Sequence, residues 1–381
     1  MDRISVLGMS SVSALGSNPK AVWSSYADEK PCFSVIQSNQ AEVAVAGVSK
    51  TIDAALKQIA QQNSNYKRLD RTVLMAIKAA RGSLQNLALD GKWGVNIGSS
   101  RGATDLFERY YADFLKNGSA HTLASPTTTL GNVSTWVAQD LQLKAMSLAH
   151  SVTCASAMHA VLNGIAWLGS GMADFMLVGG TEAPLTPFTI AQMQALNLYA
   201  KQTAGYACRA LDLDKKSNTM VLGEAAATAI LAKGTHKNAQ GYIIGCGWGT
   251  EPLDHHTSLS KQAHCFQDSM KMALDSAGLN RVDAVVMHAP GTILGDRAEV
   301  HAIQAVFEES PYLISNKHLI GHTLGTSGMM SMELALMMLE HQQVFENPFY
   351  NQESDKPASL ETVLVNAVGF GGNAVSIILC R

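Results

Sequence analysis

Three side chains in this sequence join reactive chemistry to an unusual local setting: Cys154, His288 and His322. Cys154 lies in Ser151-Val152-Thr153-Cys154-Ala155-Ser156-Ala157. Val152 and Thr153 ahead of it are strand formers, and behind it Met158, Val161, Leu162, Ile165 and Leu168 recur at helical spacing. The cysteine therefore stands where a strand turns into a helix. A helix N-terminus there favours a thiolate, and the small neighbours leave room for a substrate. A small apolar cysteine buried in a core helix fits the same local sequence. His288 closes the apolar run Ala284-Val285-Val286-Met287 and enters Ala289-Pro290-Gly291-Thr292. His322 sits in Gly321-His322-Thr323-Leu324-Gly325, ahead of a long apolar helix. Either histidine alone is equally at home as a hydrogen-bonded loop or core residue. With the cysteine they form a Cys/His/His set. A thiol nucleophile needs basic or cationic neighbours, and two neutral imidazoles can donate N–H bonds to a carbonyl oxygen that gains negative charge.

The elements that must carry these groups alternate between strand and helix. Strands are expected at 4–8, 93–97, 174–180, 222–231, 242–248, 284–288, 363–365 and 374–379. Helices are expected at 71–89, 103–116, from Ser125 through Trp136, from Ala155 to Gly169, and at 264–277, 298–307 and 326–340. This alternation predicts an α/β fold with covered sheets. Residues 20–65 read as irregular with short strand-like runs such as Val43-Ala44-Val45-Ala46-Gly47, and 188–218 as a long polar segment of the kind that serves as a lid. The polar stretch from Lys233 to Gln240 is the natural seam, dividing the chain into 1–238 and 239–381. No fixed-period repeat is visible, and no G-x-G-x-x-G opens a helix after a strand, which argues against a nucleotide-phosphate loop.

Bulk composition narrows the function classes. The chain has 381 residues, 47% hydrophobic and 15% charged, with a net charge of -3. It is globular, long enough for two fused halves, and has no charge excess that would call for nucleic acid or an anionic membrane. No apolar run reaches the ~20 residues of a membrane span. Met1–Gly8 goes straight into a strand without the shape of a signal peptide, so cytoplasm is the expected compartment. The six cysteines include no C-x-x-C pair and no zinc-ligand spacing with histidine, so neither a disulfide framework nor a metal site is expected.

The stretch Val152-Thr153-Cys154-Ala155, with Gly179-Gly180-Thr181-Glu182, resembles the nucleophile region of the β-ketoacyl-ACP synthases, the elongating type with two histidines. Further segments match in order. Arg209-Ala210-Leu211-Asp212 and Leu222-Gly223-Glu224-Ala225-Ala226 resemble the R-P-F-D and G-E-G-A blocks. His288 through Leu294-Gly295-Asp296, with Glu299, resembles H-G-T-S-T-P-L-G-D-x-x-E. Lys317 with Gly321-His322-Thr323-Leu324-Gly325 resembles K-x-x-x-G-H-x-x-G, and Gly369-Phe370-Gly371-Gly372 the C-terminal G-F-G-G turn. The resemblance covers essentially the whole chain.

It implies a thiolase-like fold, two similar α/β halves in a five-layer αβαβα arrangement, with Cys154 in the first half and both histidines in the second. It implies that Cys154 accepts an acyl chain from the phosphopantetheine arm of an acyl carrier protein and condenses it with malonyl-ACP after loss of CO2. His288 and His322 would stabilise the enolate, and the backbone N–H groups of Cys154 and Phe370 would form the oxyanion hole. Lys317 and Glu299 would make a buried charge pair, a surface pair being the alternative. Phe370 would gate the acyl pocket or serve as a plain core aromatic, and Thr292 would hold the pantetheine. No cofactor is implied. A homodimer, or a heterodimer with a related ketosynthase, is.

Several positions depart from the family pattern. Pro290 stands where a threonine is usual, Ser217-Asn218-Thr219-Met220 replaces R-D-G-F, and Asn373 and Ala374 replace a Thr and an Asn. Residues 188–208 and 250–263 follow no family pattern. This drift points to a specialised polyketide or polyene synthase more than to housekeeping fatty acid synthesis. It leaves as an alternative a non-condensing chain-length subunit, although such subunits commonly lack the nucleophile. A thiolase would need a second cysteine in a Gly-rich turn, whereas Cys380 lies in a strand-like tail. Trp136 and the methionines 329, 330, 332, 337 and 338 are core candidates with a tunnel-lining alternative.

Overall fold

The computed structural model describes residues 1–39, 41–130, 132–252, 259–352 and 354–381, so part of the unpatterned stretch 250–263 lies outside the described residues. In chain order the strands are β1 (Ile4–Val12), β2 (Ser34–Ser38), β3 (Ala41–Ala46), β4 (Trp93–Gly98), β5 (Ala145–His150), β6 (Phe175–Glu182), β7 (Leu222–Gly223), β8 (Ala225–Lys233), β9 (Gly241–Thr250), β10 (Ala284–Val286), β11 (Tyr312–Ile314), β12 (Thr362–Gly369) and β13 (Asn373–Cys380). Two five-stranded sheets result, in the orders β1-β8-β6-β4-β5 and β9-β13-β12-β10-β11. Read from its first-named strand, each sheet pairs antiparallel, antiparallel, parallel, parallel. The chain thus uses one strand pattern twice, a duplication that no repeat in the sequence reveals.

Helices complete five layers. Ser156–Gly169 and Ser327–His341 pack against each other and against the two sheets from between. Arg71–Leu84 and Asn132–Asp140 cover the outer face of the first sheet, and His264–Ala277, with Ile293–Val306 beside it, that of the second. The central position explains the composition of Ser327–His341. It is apolar on every side, as a helix without a solvent face must be, and all its residues except Glu340 and His341 are buried. The five methionines of this helix belong to the main hydrophobic core. Trp136 is likewise structural, meeting Tyr66 edge to face at 5.9 Å.

Residues 20–65 hold more regular structure than expected: the strand-like run from Val43 belongs to β3, and two helices appear beside it. Pro19–Ala27 is a helix whose first turn is capped by Asn18, which accepts from the Ala21 N–H at 2.9 Å. Lys50–Gln62 is another, capped by Ser49, with Ile52, Leu56 and Ile59 buried. Its apolar stripe is only three residues wide, and the glutamines and lysines on the other face conceal it. The helix expected from Ser125 is two, Ala124–Thr128 and Asn132–Asp140, with Trp136 on the second. The segment 188–218 begins inside a helix, Pro187–Ala195, and only its remainder is loop. β5 and β11, the far edge strands of the two sheets, had no sequence signal. β5 is mostly exposed and Lys144-Ala145-Met146-Ser147 lacks strand formers, while β11 has three residues.

Where β6 meets β8 the backbones approach closely. A Cβ at Gly179 would lie 2.2 Å from the Ala227 carbonyl oxygen. Gly179→Ala is therefore expected to destabilise the protein by ~1–3 kcal/mol, the usual cost of overpacking. The urea unfolding midpoint should fall accordingly, and an unchanged midpoint would show that the strand pair gives way without cost.

Candidate active site

Cys154 stands in a tight elbow between β5 and the central helix Ser156–Gly169. The Ser156 hydroxyl closes the elbow, accepting from the Val152 N–H at 2.9 Å and donating to the Thr153 carbonyl at 2.6 Å. Thr153 has a left-handed φ of 49°. The elbow rests on the end of β12, where a Cβ at Gly369 would come within 1.9 Å of the Thr153 hydroxyl and 3.1 Å of the Cys154 nitrogen. Only glycine permits this approach.

The expected thiolate is not the resting form. Burial, followed by the nearby Glu182 charge, pushes the Cys154 thiol up to about 12, against weaker opposite pulls from Arg101 and Lys317. Cys154 is only 6% exposed. At that depth desolvation of a thiolate outweighs what one helix terminus supplies.

Both histidines are held by backbone contacts. Met287 donates its N–H to the Ile314 carbonyl at 2.7 Å, and the next N–H, that of His288, goes to Glu299 Oε1 at 2.9 Å. The His322 N–H donates to the Val221 carbonyl at 2.6 Å, and its carbonyl accepts from Gly223 at 3.1 Å. Gly321 makes this possible. Its φ is 65°, and a Cβ there would sit 2.6 Å from the Val221 oxygen. The two imidazoles meet edge to face, centroids 5.1 Å apart. Burial lowers both pKa values, that of His288 well below the ordinary value and that of His322 to about 3, with the Lys317 charge adding to each. Both rings are therefore neutral at neutral pH. Nδ1 of each is buried without a hydrogen-bond partner among the described residues. An unpaired buried polar atom costs ~1–3 kcal/mol.

Lys317 and Glu299 are both buried, but they do not form the expected ion pair, nor a surface one. Lys317 Nζ donates to Asn316 Oδ1 at 2.9 Å and Ser331 Oγ at 3.5 Å. Glu299 accepts from the N–H groups of His288 and Ala289 and from Asn366 Nδ2 at 2.8–3.1 Å. The two charges interact only through space. Burial brings Lys317 down to about 8, against the counter-pull of Glu299, and raises Glu299 to about 7 despite its backbone hydrogen bonds. Glu299 thus positions His288 through the main chain, and Lys317 acts on both imidazoles as a field.

One cavity of about 190 Å³ brings Cys154, His288, His322, Glu299, Thr292 and Phe370 together; Lys317 lies behind its wall. Met193, Leu196, Leu198, Met220, Phe266, Leu324 and Val368 supply an apolar lining. Phe370 is half-buried on the turn after β12 and is not a plain core aromatic. The N–H groups of Cys154 and Phe370 donate to no protein acceptor among the described residues. Thr292 lies on the cavity wall and caps the helix Ile293–Val306, its hydroxyl accepting from the Gly295 N–H at 3.2 Å. The unusual residues 217–220 brace this turn. Asn218 Oδ1 accepts from the Ile293 N–H at 2.9 Å, and the Thr219 hydroxyl donates to the Gly291 carbonyl at 3.0 Å.

Sequence reasoning assigned no role to Glu182. Its Oε1 accepts from the N–H groups of Ser100 and Gly325, and burial raises its pKa to about 7. It ties the turn after β4 to the turn after His322 on either side of the nucleophile. The signal was its place directly after Gly179-Gly180-Thr181. The methionines and leucines of the lining gave no signal, because apolar residues in an irregular segment look alike whether they face core or cavity. Among the described residues no three His, Cys, Asp or Glu side chains gather as a metal site, and no helix is long and apolar enough to cross a membrane.

Residues 1–237 match the family model "Beta-ketoacyl synthase, N-terminal domain", and residues 240–350 match "Beta-ketoacyl synthase, C-terminal domain". Nodulation protein E of Rhizobium sp. (strain N33) is 27% identical, with 89% of this chain and 86% of that protein covered. The 3-oxoacyl-[acyl-carrier-protein] synthase 2 of Coxiella burnetii is 25% identical over 100% of this chain and 98% of its own. Among solved structures, a β-ketoacyl synthase from Burkholderia phymatum superposes with a TM-score of 0.84 at 22% identity, covering all of both chains. A ketosynthase solved with its chain length factor from Xenorhabdus doucetiae gives 0.83 at 20%, covering 100% of this chain and 98% of that one. These likenesses carry the thiolase-like fold.

The neutral histidines have a thermodynamic signature. In the unfolded chain a histidine takes up a proton near pH 6.5, in the fold His322 does so only near pH 3. Between these values the unfolded state binds more protons, so the His322 contribution is lost as pH falls. Glu299, raised to about 7, acts with the opposite sign, holding a proton in the fold that the unfolded chain releases. We expect His322→Gln to lose stability less steeply than wild type between pH 6 and 4, by up to ~1.4 kcal/mol per pH unit. Urea unfolding at stepped pH reads this difference, and equal slopes would mean that His322 is already protonated in the fold.

Proposed function

The chain belongs to the β-ketoacyl synthase family, and on that premise we propose that it condenses an acyl chain held on Cys154 with malonyl-ACP, with loss of CO2, to give a 3-oxoacyl-ACP. The observation that carries this reading is a single cavity holding one thiol and two neutral imidazoles with unpaired buried nitrogens. The chemistry follows from the site. In the first step the Cys154 sulfur attacks the thioester carbonyl of the incoming acyl-ACP. The cysteine proton leaves with the pantetheine thiol, and the tetrahedral oxygen is met by the N–H groups of Cys154 and Phe370. In the second, the malonyl thioester carbonyl sits against His288 and His322. The C–C bond to the carboxylate breaks, CO2 departs, and the electron pair becomes an enolate that the imidazole N–H groups stabilise. The enolate carbon attacks the Cys154 thioester, the new C–C bond forms, and the sulfur leaves and regains a proton.

Neutrality of the histidines matters here. An imidazolium would hand its proton to the enolate and quench it, whereas a neutral N–H donor stabilises the charge without giving the proton away. Lys317 supports this role by keeping both rings deprotonated, and Glu299 by fixing the His288 backbone. Thr292, whose hydroxyl still has a proton to donate, is suited to hold the pantetheine at the mouth. The apolar lining suits a fatty or polyketide chain, and the pathway is a biosynthetic one in the cytoplasm. Residues 1–238 and 239–381 act as two thiolase-like halves, the first supplying the nucleophile and the second the histidines. The reading as a chain-length subunit gains no support from a site that keeps its thiol.

The partners are acyl carrier protein and a second synthase chain, identical or related. β5 pairs with β4 on one side, and Met146 and Leu148 on it are 45% and 41% exposed. An edge strand with exposed apolar residues invites pairing with a second copy about a two-fold axis.

Incubation with acyl-ACP and malonyl-ACP should add the acyl mass to Cys154 and then release a product two carbons longer, both read by mass spectrometry. Cys154→Ala should lose condensation by on the order of 10³-fold or more while keeping its fold, and elongation persisting in that variant would end the proposal. Leu148→Lys should shift the sedimenting species toward monomer. If the dimer is unaffected, another face carries it.

A further inference from the structure

We propose that Thr153 is a positioning residue whose hydroxyl latches the Phe370 turn over Cys154. The latch rests on the condensing reading for its effect on turnover, but control of access to the thiol can be read without it. Three independent features converge on it. The Thr153 hydroxyl donates to the Phe370 carbonyl at 3.1 Å, joining residues 217 positions apart. Thr153 has a φ of 49°, a region that a β-branched residue leaves unless its surroundings hold it there. The elbow and the end of β12 touch with nothing between them, since even a methyl group at Gly369 would collide with this hydroxyl.

The turn it holds is made to move. Phe370 lies on the cavity wall, and Gly371 and Gly372 after it have φ values of 93° and 67°, conformations in which backbone dihedrals change at little steric cost. The far end of the turn is fixed, because the Gly372 carbonyl accepts from the Glu251 N–H at 2.9 Å and the Gly372 N–H reaches back to Gly369 at 3.0 Å. The near end has the Thr153 hydroxyl on its carbonyl. Release of that one bond frees Phe370 to swing on the glycines while β12 stays in register. A threonine that served only to fill space would need its methyl and not its hydroxyl.

Substitutions separate these roles. Thr153→Ser keeps the hydroxyl, Thr153→Ala removes hydroxyl and methyl, and Thr153→Val keeps the shape without the donor. Alkylation by iodoacetamide, read as the modified fraction of the proteolytic peptide that carries Cys154, measures access to it apart from the five other free cysteines. Melting temperature confirms that each variant is folded. We expect Ala and Val to raise the alkylation rate about 3- to 10-fold and to lower kcat for condensation about 10-fold with KM little changed, with Ser within about 2-fold of wild type on both. Wild-type alkylation rates in Ala and Val, or a Ser variant that behaves like Ala, would overturn the latch. A wild-type protein that fails to elongate any acyl-ACP would instead sink the condensing reading, and the alkylation comparison would still decide the latch.

Discussion

Exclusion of water governs this site. A thiol, two imidazoles, a carboxylate and an ammonium lie where charge is costly, and each responds to the same cause in its own direction. Burial favours the uncharged form of each, pushing the thiol and the carboxyl up and the imidazoles and the ammonium down. At neutral pH the thiol and both imidazoles are therefore uncharged. New charge appears beside them when a substrate brings an oxygen that becomes negative, and it then meets fixed N–H donors rather than solvent. Hydrogen bonds of that kind are stronger in low dielectric than in water.

The architecture exists to keep that interior dry. Two sheets sandwich two helices, with Cys154 and His288 just beyond strand ends, His322 in the turn ahead of the second central helix, and Glu299 within Ile293–Val306. The polar groups that accompany them are spent on the backbone. Glu299 takes two consecutive main-chain N–H groups, Glu182 takes two from separate turns, and Asn366 ties Glu299 to Ser376 through its own side chain. These carboxylates tie together the loops that carry the reactive groups.

Much of this was legible beforehand, for physical reasons. Cys154 stands between two strand formers and a helically spaced apolar stretch, His288 closes an apolar run, and His322 follows Gly321 ahead of a long apolar helix. The long helices showed because they are strongly patterned, His264–Ala277 to its end residues. The helix Lys50–Gln62 stayed hidden because one polar face outweighed three apolar residues, and β5 because an edge strand needs no apolar alternation. The pairing of Lys317 with Glu299 was misread for another reason. Two opposite charges in neighbouring motifs invite a salt bridge, yet both found neutral or backbone partners first. The thiol was misread because the sequence displays the helix terminus but not the depth of burial.

The repeated strand pattern has a consequence for where chemistry can arise. β5 leads through the Cys154 elbow into one central helix, and β11 leads through the His322 turn into the other. Nucleophile and imidazole therefore occupy corresponding stations of two copies of one motif. Neither copy holds the whole set, since Cys154 lies in the first and both histidines in the second. A duplicated strand pattern thus frames an asymmetric crevice, with a thiol at the end of one copy and two imidazoles at the end of the other.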